Sequence, residues 1–141
     1  MQTLFVYGSL KQGFDNEHVN TGRRIEGAYR TRETLPMYLL DAGEVPCIVL
    51  DAGAGFQVAG ELYAVGEADL ARMDRLERIG DADGYERVAL ELERFDTAPP
   101  QRVEAWAYVK RERAIPAATP RIGPLAEYTR EHAANFRWRG G

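Results

Sequence analysis

The sequence contains few of the residues that bind metal ions or form disulfides. Its 141 residues include one cysteine, Cys47, and two histidines, His18 and His132. A single cysteine cannot form a disulfide within the chain, and three isolated residues do not have the spacing of a zinc site. We therefore expect no metal ion, and the lone thiol is typical of a cytoplasmic protein.

Long apolar runs and an excess of basic residues are also missing. No apolar stretch approaches the roughly 18 residues of a membrane span, and the N-terminus lacks the pattern of a signal peptide. The formal net charge is -4 at pH 7, so no overall field attracts nucleic acid or acidic membranes. Arg137–Gly141 is basic and contains a tryptophan, but a solvated end or a packing anchor explains it better than RNA binding does. The sequence predicts a soluble protein with a small-molecule substrate and neither a nucleic-acid nor a membrane partner.

The chain length predicts one domain, residues 1–141, with a single core. Segments rich in β-branched and aromatic residues recur along it and indicate strands. These segments are Thr3–Tyr7, Met37–Leu40, Cys47–Leu50, Gln57–Val65, Tyr85–Phe95 and Arg102–Lys110. The pattern predicts an α+β protein built on a small, mixed, partly closed β-barrel of about six strands with flanking helices.

Two segments are predicted to be helical. The clearer one is Glu67–Arg78, in which Leu70, Met73 and Leu76 recur every three positions. A weaker helical pattern runs from Pro124 to about residue 135. We expect both helices to pack against the barrel.

A glycine-flanked turn follows the first predicted strand. Tyr7 ends that strand, and Gly8, Ser9 and Leu10 come directly after it. Because glycine has no Cβ, backbone amides in such a turn can approach a carboxylate or a developing oxyanion. An ordinary turn without a ligand is the alternative.

Glu77 interrupts the apolar stripe of the first helix. At about 100° per residue it lies near Leu70 and Met73, so its carboxylate should face the core. A buried carboxylate either pairs with a cation, for which Arg87 is a candidate, or has a raised pKa suited to acid–base catalysis. An exposed helix end is a third possibility. We expect Asp74, on the same helix, to have a structural role.

Five short segments together resemble the γ-glutamylcyclotransferase-like family. They are YGSL after the first strand, GELYAV in a middle strand, MDRLE on the helix, YERV at the next strand and AWAYV near residue 106. The resemblance covers about residues 1–110 and extends to γ-glutamylamine cyclotransferases and AIG2-like proteins. It implies a compact mixed barrel and a cofactor-free enzyme that releases 5-oxoproline and an amine from a γ-glutamyl substrate.

The resemblance also implies roles for particular residues. The substrate-binding loop falls on Tyr7, Gly8, Ser9 and Leu10, and the catalytic glutamate falls on Glu77. Tyr108 lies in the late aromatic strand and is a further candidate for substrate binding, with barrel core as the alternative.

The chain departs from the family pattern at two places. Met73 stands where leucine is usual, and a swap of similar volume should be tolerated. The segment from Arg78 to Gly84 is longer and more acidic than in many relatives, which predicts altered recognition of the leaving group.

Three other functions compete with this interpretation. Ser9 could act as a nucleophile, but neither histidine lies in a recognisable triad motif. A pair of Cys47 and His132 is a second possibility, although a cysteine that enters an apolar strand after Pro46 usually fills the core. The third is a non-enzymatic protein that binds a γ-glutamyl metabolite in the same pocket.

Overall fold

The computed structural model describes residues 2–8, 11, 22–41, 45–82 and 84–133. Within them lie eight strands, two α-helices and one short 3-10 turn at Glu112–Ala114. The strands are β1 (Gln2–Val6), β2 (Arg23–Thr31), β3 (Met37–Leu40), β4 (Val45–Ile48), β5 (Ala59–Val65), β6 (Glu86–Arg94), β7 (Gln101–Val109) and β8 (Arg121–Leu125). The helices are α1 (Glu67–Leu76) and α2 (Arg130–Ala133).

Five of the strands form a closed barrel in the order β1-β5-β2-β6-β7. Neighbours are antiparallel except β1 and β7, which close the barrel in parallel with Leu4 opposite Trp106. The other three strands form a separate sheet in the order β4-β3-β8. The predicted α+β fold with a small mixed barrel is confirmed, and the strands outside the barrel form this second sheet.

The ends of the six predicted strands agree with the structure to within two residues. Two strands, β2 and β8, lack a clear sequence signal because each contains glycine and few consecutive β-branched or aromatic residues. Pairing with neighbours stabilises them instead: β2 lies between β5 and β6, and β8 pairs with β3. Long-range pairing thus compensates for weak local propensity.

Alternating residues of β1 pack into two different cores. Phe5 belongs to the core shared by the barrel and the second sheet. Leu4 and Val6 point the other way and pack with Leu70 and Met73 of α1. The period of two in a strand therefore places α1 on the outer face of the barrel, next to the end of β1.

Helix α1 is confirmed, but the prediction that Leu76 lies on its apolar face is wrong. Leu70 and Met73 are buried, whereas Leu76 is 56% exposed. Three-residue spacing drifts around a helix, so a residue six positions after Leu70 lies about 120° away from it. Glu77, seven positions after Leu70, returns to within about 20° of the buried face and caps the helix.

The predicted helix from Pro124 to about residue 135 is largely wrong. Pro124 lies in β8, which forms an edge of the second sheet and pairs with β3. Proline has no N–H to donate, and an edge strand tolerates it. Helix α2 begins only at Arg130, and residues 134 and 135 lie outside the described residues. In the part of the chain that the structure describes, neither helix has the length and apolarity needed to cross a bilayer.

Candidate active site

The end of β1 is attached to both sheets through the hydroxyl group of Tyr7. This hydroxyl donates a hydrogen bond to the carbonyl oxygen of Tyr108 at 2.6 Å and accepts one from the backbone N–H of Ile48 at 3.0 Å. Burial raises the pKa of Tyr7 well above its usual value. Tyr7 is therefore a neutral residue whose hydroxyl holds the start of the loop in place.

Gly8 lies where no side chain fits. An ideal Cβ at this position would be 2.8 Å from Cγ of Pro46, which belongs to β4 and is held in a rigid ring. The carbonyl oxygen of Gly8 accepts a hydrogen bond from the N–H of Lys11 at 3.1 Å, which closes a tight turn. Ser9 and Leu10, the other predicted loop residues, lie outside the described residues.

Glu77 is held at the end of α1 by its own backbone. Its N–H donates to the carbonyl oxygen of Met73 at 2.9 Å, and its carbonyl oxygen accepts from the N–H of Tyr85 at 3.0 Å. The residue is half-buried. The alternative of an ion pair with Arg87 is wrong, because the Nε atom of Arg87 lies 2.9 Å from Oδ1 of Asp74.

Burial raises the pKa of Glu77 from its usual value near 4.5 to about 7, although the nearby charge of Lys110 acts in the opposite direction. Such a carboxyl group exchanges its proton at neutral pH, which suits a general acid–base catalyst. Burial is the main cause that raises the pKa values of Tyr7, Cys47, Tyr85 and Tyr108, and the negative charge of Glu77 contributes to each in the same direction. These four side chains and Lys110 therefore surround the carboxylate within electrostatic reach.

Sequence reasoning missed Tyr85 and Lys110 as neighbours of Glu77. The ammonium group of Lys110 lies 4.8 Å from the centre of the Tyr85 ring. Tyr85 belongs to the YERV segment, which could have drawn attention to it. Lys110 carries no local signal, because its position depends on the bridge between Val49 and the end of β7.

Cys47 is fully buried beside the site, and its environment argues against a nucleophilic role. Its thiol donates a weak hydrogen bond to the carbonyl oxygen of Ile48 at 3.4 Å. Burial raises the pKa of Cys47 to about 12, so the thiolate that a nucleophile needs is scarce at neutral pH. The other member of the hypothetical pair, His132, has Nδ1 at 3.0 Å from the backbone N–H of Thr129. The structure thus supports the interpretation of Cys47 as a core residue.

Asp74 and Tyr108 form a polar contact between α1 and the barrel. The Tyr108 hydroxyl donates to Oδ1 of Asp74 at 2.7 Å, and the Tyr108 ring packs among the apolar residues beneath α1. The structural role expected for Asp74 is confirmed. The Tyr108 side chain lies in this core.

The described residues of the acidic segment after Glu77, 78–82 and 84, are held by turn hydrogen bonds. Arg78 has a positive φ of 59° and forms an ion pair with Asp81 at 3.1 Å. Gly84 packs so closely that a Cβ would collide with the carbonyl group of Arg78. The segment lines a cavity of about 240 Å³ together with Arg111 and Arg113. Among the described residues, no three His, Cys, Asp or Glu side chains are grouped as a metal site.

Comparisons with known proteins identify a family that this sequence matches. The sequence model of the family "Gamma-glutamyl cyclotransferase, AIG2-like" matches residues 4–130. Gamma-glutamylaminecyclotransferase C of Danio rerio is 34% identical over 95 residues, which are 64% of this chain and 61% of that protein. Gamma-glutamylaminecyclotransferase of Homo sapiens is 36% identical over 105 residues, 71% of this chain and 67% of that protein.

A solved structure also agrees with this chain in fold. The crystal structure of an AIG2-like protein from Mus musculus matches with a TM-score of 0.79 and 25% identity, and the match covers 99% of this chain and 95% of that one. In the sequence comparison, however, the chain spans less than two thirds of the zebrafish relative. The likeness in fold to the mouse structure covers the barrel, the second sheet and α1.

Proposed function

Because the chain belongs to the γ-glutamyl cyclotransferase, AIG2-like family, we propose that it converts a γ-glutamyl amine or γ-glutamyl amino acid into 5-oxoproline and a free amine. The observation that carries the proposal is the half-buried carboxyl group of Glu77, with a pKa of about 7, at the end of α1. The zebrafish and human relatives are named γ-glutamylamine cyclotransferases, which favours an amine as the leaving group.

The reaction needs orientation and one proton shuttle. The α-amine of the substrate attacks its own γ-carbonyl carbon, so a new C–N bond closes a five-membered ring while the bond to the leaving amine breaks. Holding these atoms in contact can supply several kcal/mol of the barrier reduction, up to about 10. Glu77 accepts a proton from the α-ammonium group and then donates a proton to the departing nitrogen.

The loop after β1 is proposed to bind the substrate through its backbone. Tyr7 fixes the start of this loop, and the absence of a side chain at Gly8 lets the chain run close to Pro46. In this proposal the amides of Gly8, Ser9 and Leu10 hold the substrate carboxylate or the oxyanion of the tetrahedral intermediate. No side chain of the loop is required to react.

Incubation with a panel of γ-glutamyl amines and γ-glutamyl amino acids tests the proposal. We expect 5-oxoproline and the free amine in equal amounts, measured by mass spectrometry. Binding of the same compounds without turnover would instead support the alternative, a non-enzymatic γ-glutamyl metabolite-binding protein with the same pocket.

The pH dependence of kcat/KM is expected to follow the ionisation of Glu77. The base is active only when ionised, and its pKa is about 7, so the rise of kcat/KM with pH should be centred near 7 and level off roughly one pH unit above it. Removal of the cation in Lys110→Met should move this rise to higher pH, because Lys110 lowers the pKa of Glu77. Lys110→Arg, which keeps the charge, is the matched control. A rise centred near 4.5 in the wild type would contradict the assignment.

Replacement of Ser9 by alanine is expected to lower turnover only modestly, by less than about tenfold. The substitution removes a hydroxyl group but keeps the backbone N–H that the proposal uses. A serine nucleophile would lose more than about a thousandfold in the same variant. Steady-state kinetics and mass spectrometry of the intact protein, which would reveal an acyl-enzyme, separate the two mechanisms.

A further inference from the structure

We infer that Tyr108 is a positioning residue for Glu77 rather than part of the substrate pocket. Its main-chain carbonyl binds Tyr7 and its side-chain hydroxyl binds Asp74, so one residue connects the loop after β1 to the helix that carries Glu77. The inference rests on the proposed function, because it gives Glu77 the proton transfer. We call these two contacts the Tyr108 clamp.

The two contacts of the clamp are short, and they use the main chain and the side chain of the same residue. The Tyr7 hydroxyl donates to the carbonyl oxygen of Tyr108 at 2.6 Å, and the Tyr108 hydroxyl donates to Oδ1 of Asp74 at 2.7 Å. The second is a charge-assisted bond, which is stronger and more directional than a neutral one. The relative position of β1 and α1 is therefore fixed through β7.

Asp74 is itself held in place, so the clamp acts on a rigid partner. The Nε atom of Arg87 lies 2.9 Å from Oδ1 of Asp74 in an ion pair that lacks hydrogen-bond geometry. The guanidinium group of Arg87 stacks on the Trp106 ring at 4.5 Å. Arg87 and Trp106 lie on the adjacent strands β6 and β7, so the carboxylate of Asp74 is attached to the barrel wall.

A displacement of Asp74 would be passed on to Glu77. The two residues are three positions apart, and hydrogen bonds fix the backbone on both sides of the turn. The N–H of Ile79 donates to the carbonyl oxygen of Asp74, and the N–H of Tyr85 donates to that of Glu77, both at 3.0 Å. A general base works only within hydrogen-bond reach of its proton, so a small shift of this helix end should slow the chemical step.

The position of the Tyr108 side chain does not suit contact with a substrate. The residue is only 6% exposed, and its ring packs against Leu70 and Met73 beneath α1. Its hydroxyl donates to Asp74, and burial together with that carboxylate raises the pKa of Tyr108 above its usual value. The hydroxyl therefore stays protonated as a donor to Asp74.

Tyr108→Phe separates positioning from substrate binding. The ring stays and only the hydroxyl's bonds to α1 are lost, the short one to Asp74 and a longer one of 3.5 Å to the carbonyl oxygen of Leu70. We therefore expect kcat to fall about tenfold or more while KM changes less than twofold. Tyr63→Phe is the matched control, since its hydroxyl in the same core donates to Glu61 instead of α1, and its kcat should stay near that of wild type. An unchanged kcat in Tyr108→Phe, or a raised KM alone, would overturn the inference.

Coupling between the two partners provides a second test. Asp74→Leu removes the contact with Tyr108 and also the ion pair with Arg87, so kcat should fall at least as much as in Tyr108→Phe. The double variant should be no slower than Asp74→Leu alone, because the contact between Tyr108 and Asp74 is already lost there. Asp74→Asn keeps an oxygen acceptor for Tyr108 and should restore most of the activity. Thermal melting should first show that each variant is folded. If the losses of kcat in the two single variants then multiply in the double variant, the clamp is refuted.

Titration of the Glu77 carboxyl group tests the inference without a measurement of turnover. In a protein with carbon-13-labelled carboxyl groups, the Glu77 signal should titrate near 7 in the wild type. Its midpoint should differ in Tyr108→Phe, because a displaced helix end changes the burial that raises the pKa of Glu77, but not in Tyr63→Phe. Equal midpoints in all three proteins would refute the clamp. A wild type that forms no 5-oxoproline would refute the proposed function alone, and the titration would still decide the clamp.

Discussion

Turnover of γ-glutamyl substrates is expected to fall at least about a hundredfold when Glu77 is replaced by glutamine. Glutamine has nearly the same shape, so substrate binding and the end of α1 should be preserved. It cannot accept the proton of the α-ammonium group, and loss of general acid–base catalysis costs about two to four orders of magnitude. The measurement is kcat for 5-oxoproline formation, with KM expected to change little. Near-wild-type turnover by a folded Glu77→Gln variant would show that Glu77 is not the acid–base catalyst.

The stability of the same variant provides a control for its fold. A raised pKa in the folded state means that the native protein binds more protons than the unfolded chain between about pH 4.5 and 7. The free energy of unfolding of the wild type should therefore fall as pH rises through this range. Glu77→Gln has no carboxyl group to ionise, so it avoids this loss of stability and should be more stable than the wild type above pH 7, by up to about 3 kcal/mol. Denaturant unfolding at pH 4 and pH 8 measures the difference.

Replacement of Gly8 by valine is expected to cost about a hundredfold in kcat/KM although no reactive group is removed. The added Cβ would lie 2.8 Å from Cγ of Pro46, and neither the proline ring nor β4 can move away easily. The loop must shift instead, and a displacement of about 1 Å in a positioning element can reduce the rate by this factor. The expected loss of kcat/KM comes from the steric clash with Pro46 and not from backbone strain, because Gly8 does not have a positive φ.

A rescue experiment distinguishes crowding at Pro46 from other causes. Gly8→Ala should already be impaired, and the added substitution Pro46→Ala removes the Cγ atom and should restore part of the activity. Gly66→Ala is the matched glycine control, since a Cβ there would meet only a carboxylate oxygen of Asp69 at 3.6 Å. An inactive but folded Ser9→Ala beside an active Gly8→Val would overturn the proposal that the loop binds substrate through its backbone.

The position of Glu77 on the inner face of α1 could be predicted because it depends only on helical geometry. Seven residues after Leu70, any α-helix returns to nearly the same face. The same rule shows why Leu76 was predicted wrongly, since regular spacing by three does not keep residues on one face. The partner of Arg87 could not be predicted in this way. The competing carboxylates Asp74 and Glu77 lie three residues apart along the chain, and only the packing of α1 against the barrel brings Asp74 to Arg87.

Local patterns along the chain determined the first strand, the barrel strands with strong β propensity, the helix α1 and the core-facing carboxylate of Glu77. These features depend on residues within one or two turns of each other, so spacing and residue type are sufficient to predict them. The tertiary structure decided which groups surround that carboxylate and what Tyr108 does. The Tyr108 carbonyl meets Tyr7 across 101 positions and its hydroxyl meets Asp74 across 34. Such contacts exist only once β1 and β7 close the barrel, and no pattern within a single segment encodes that closure.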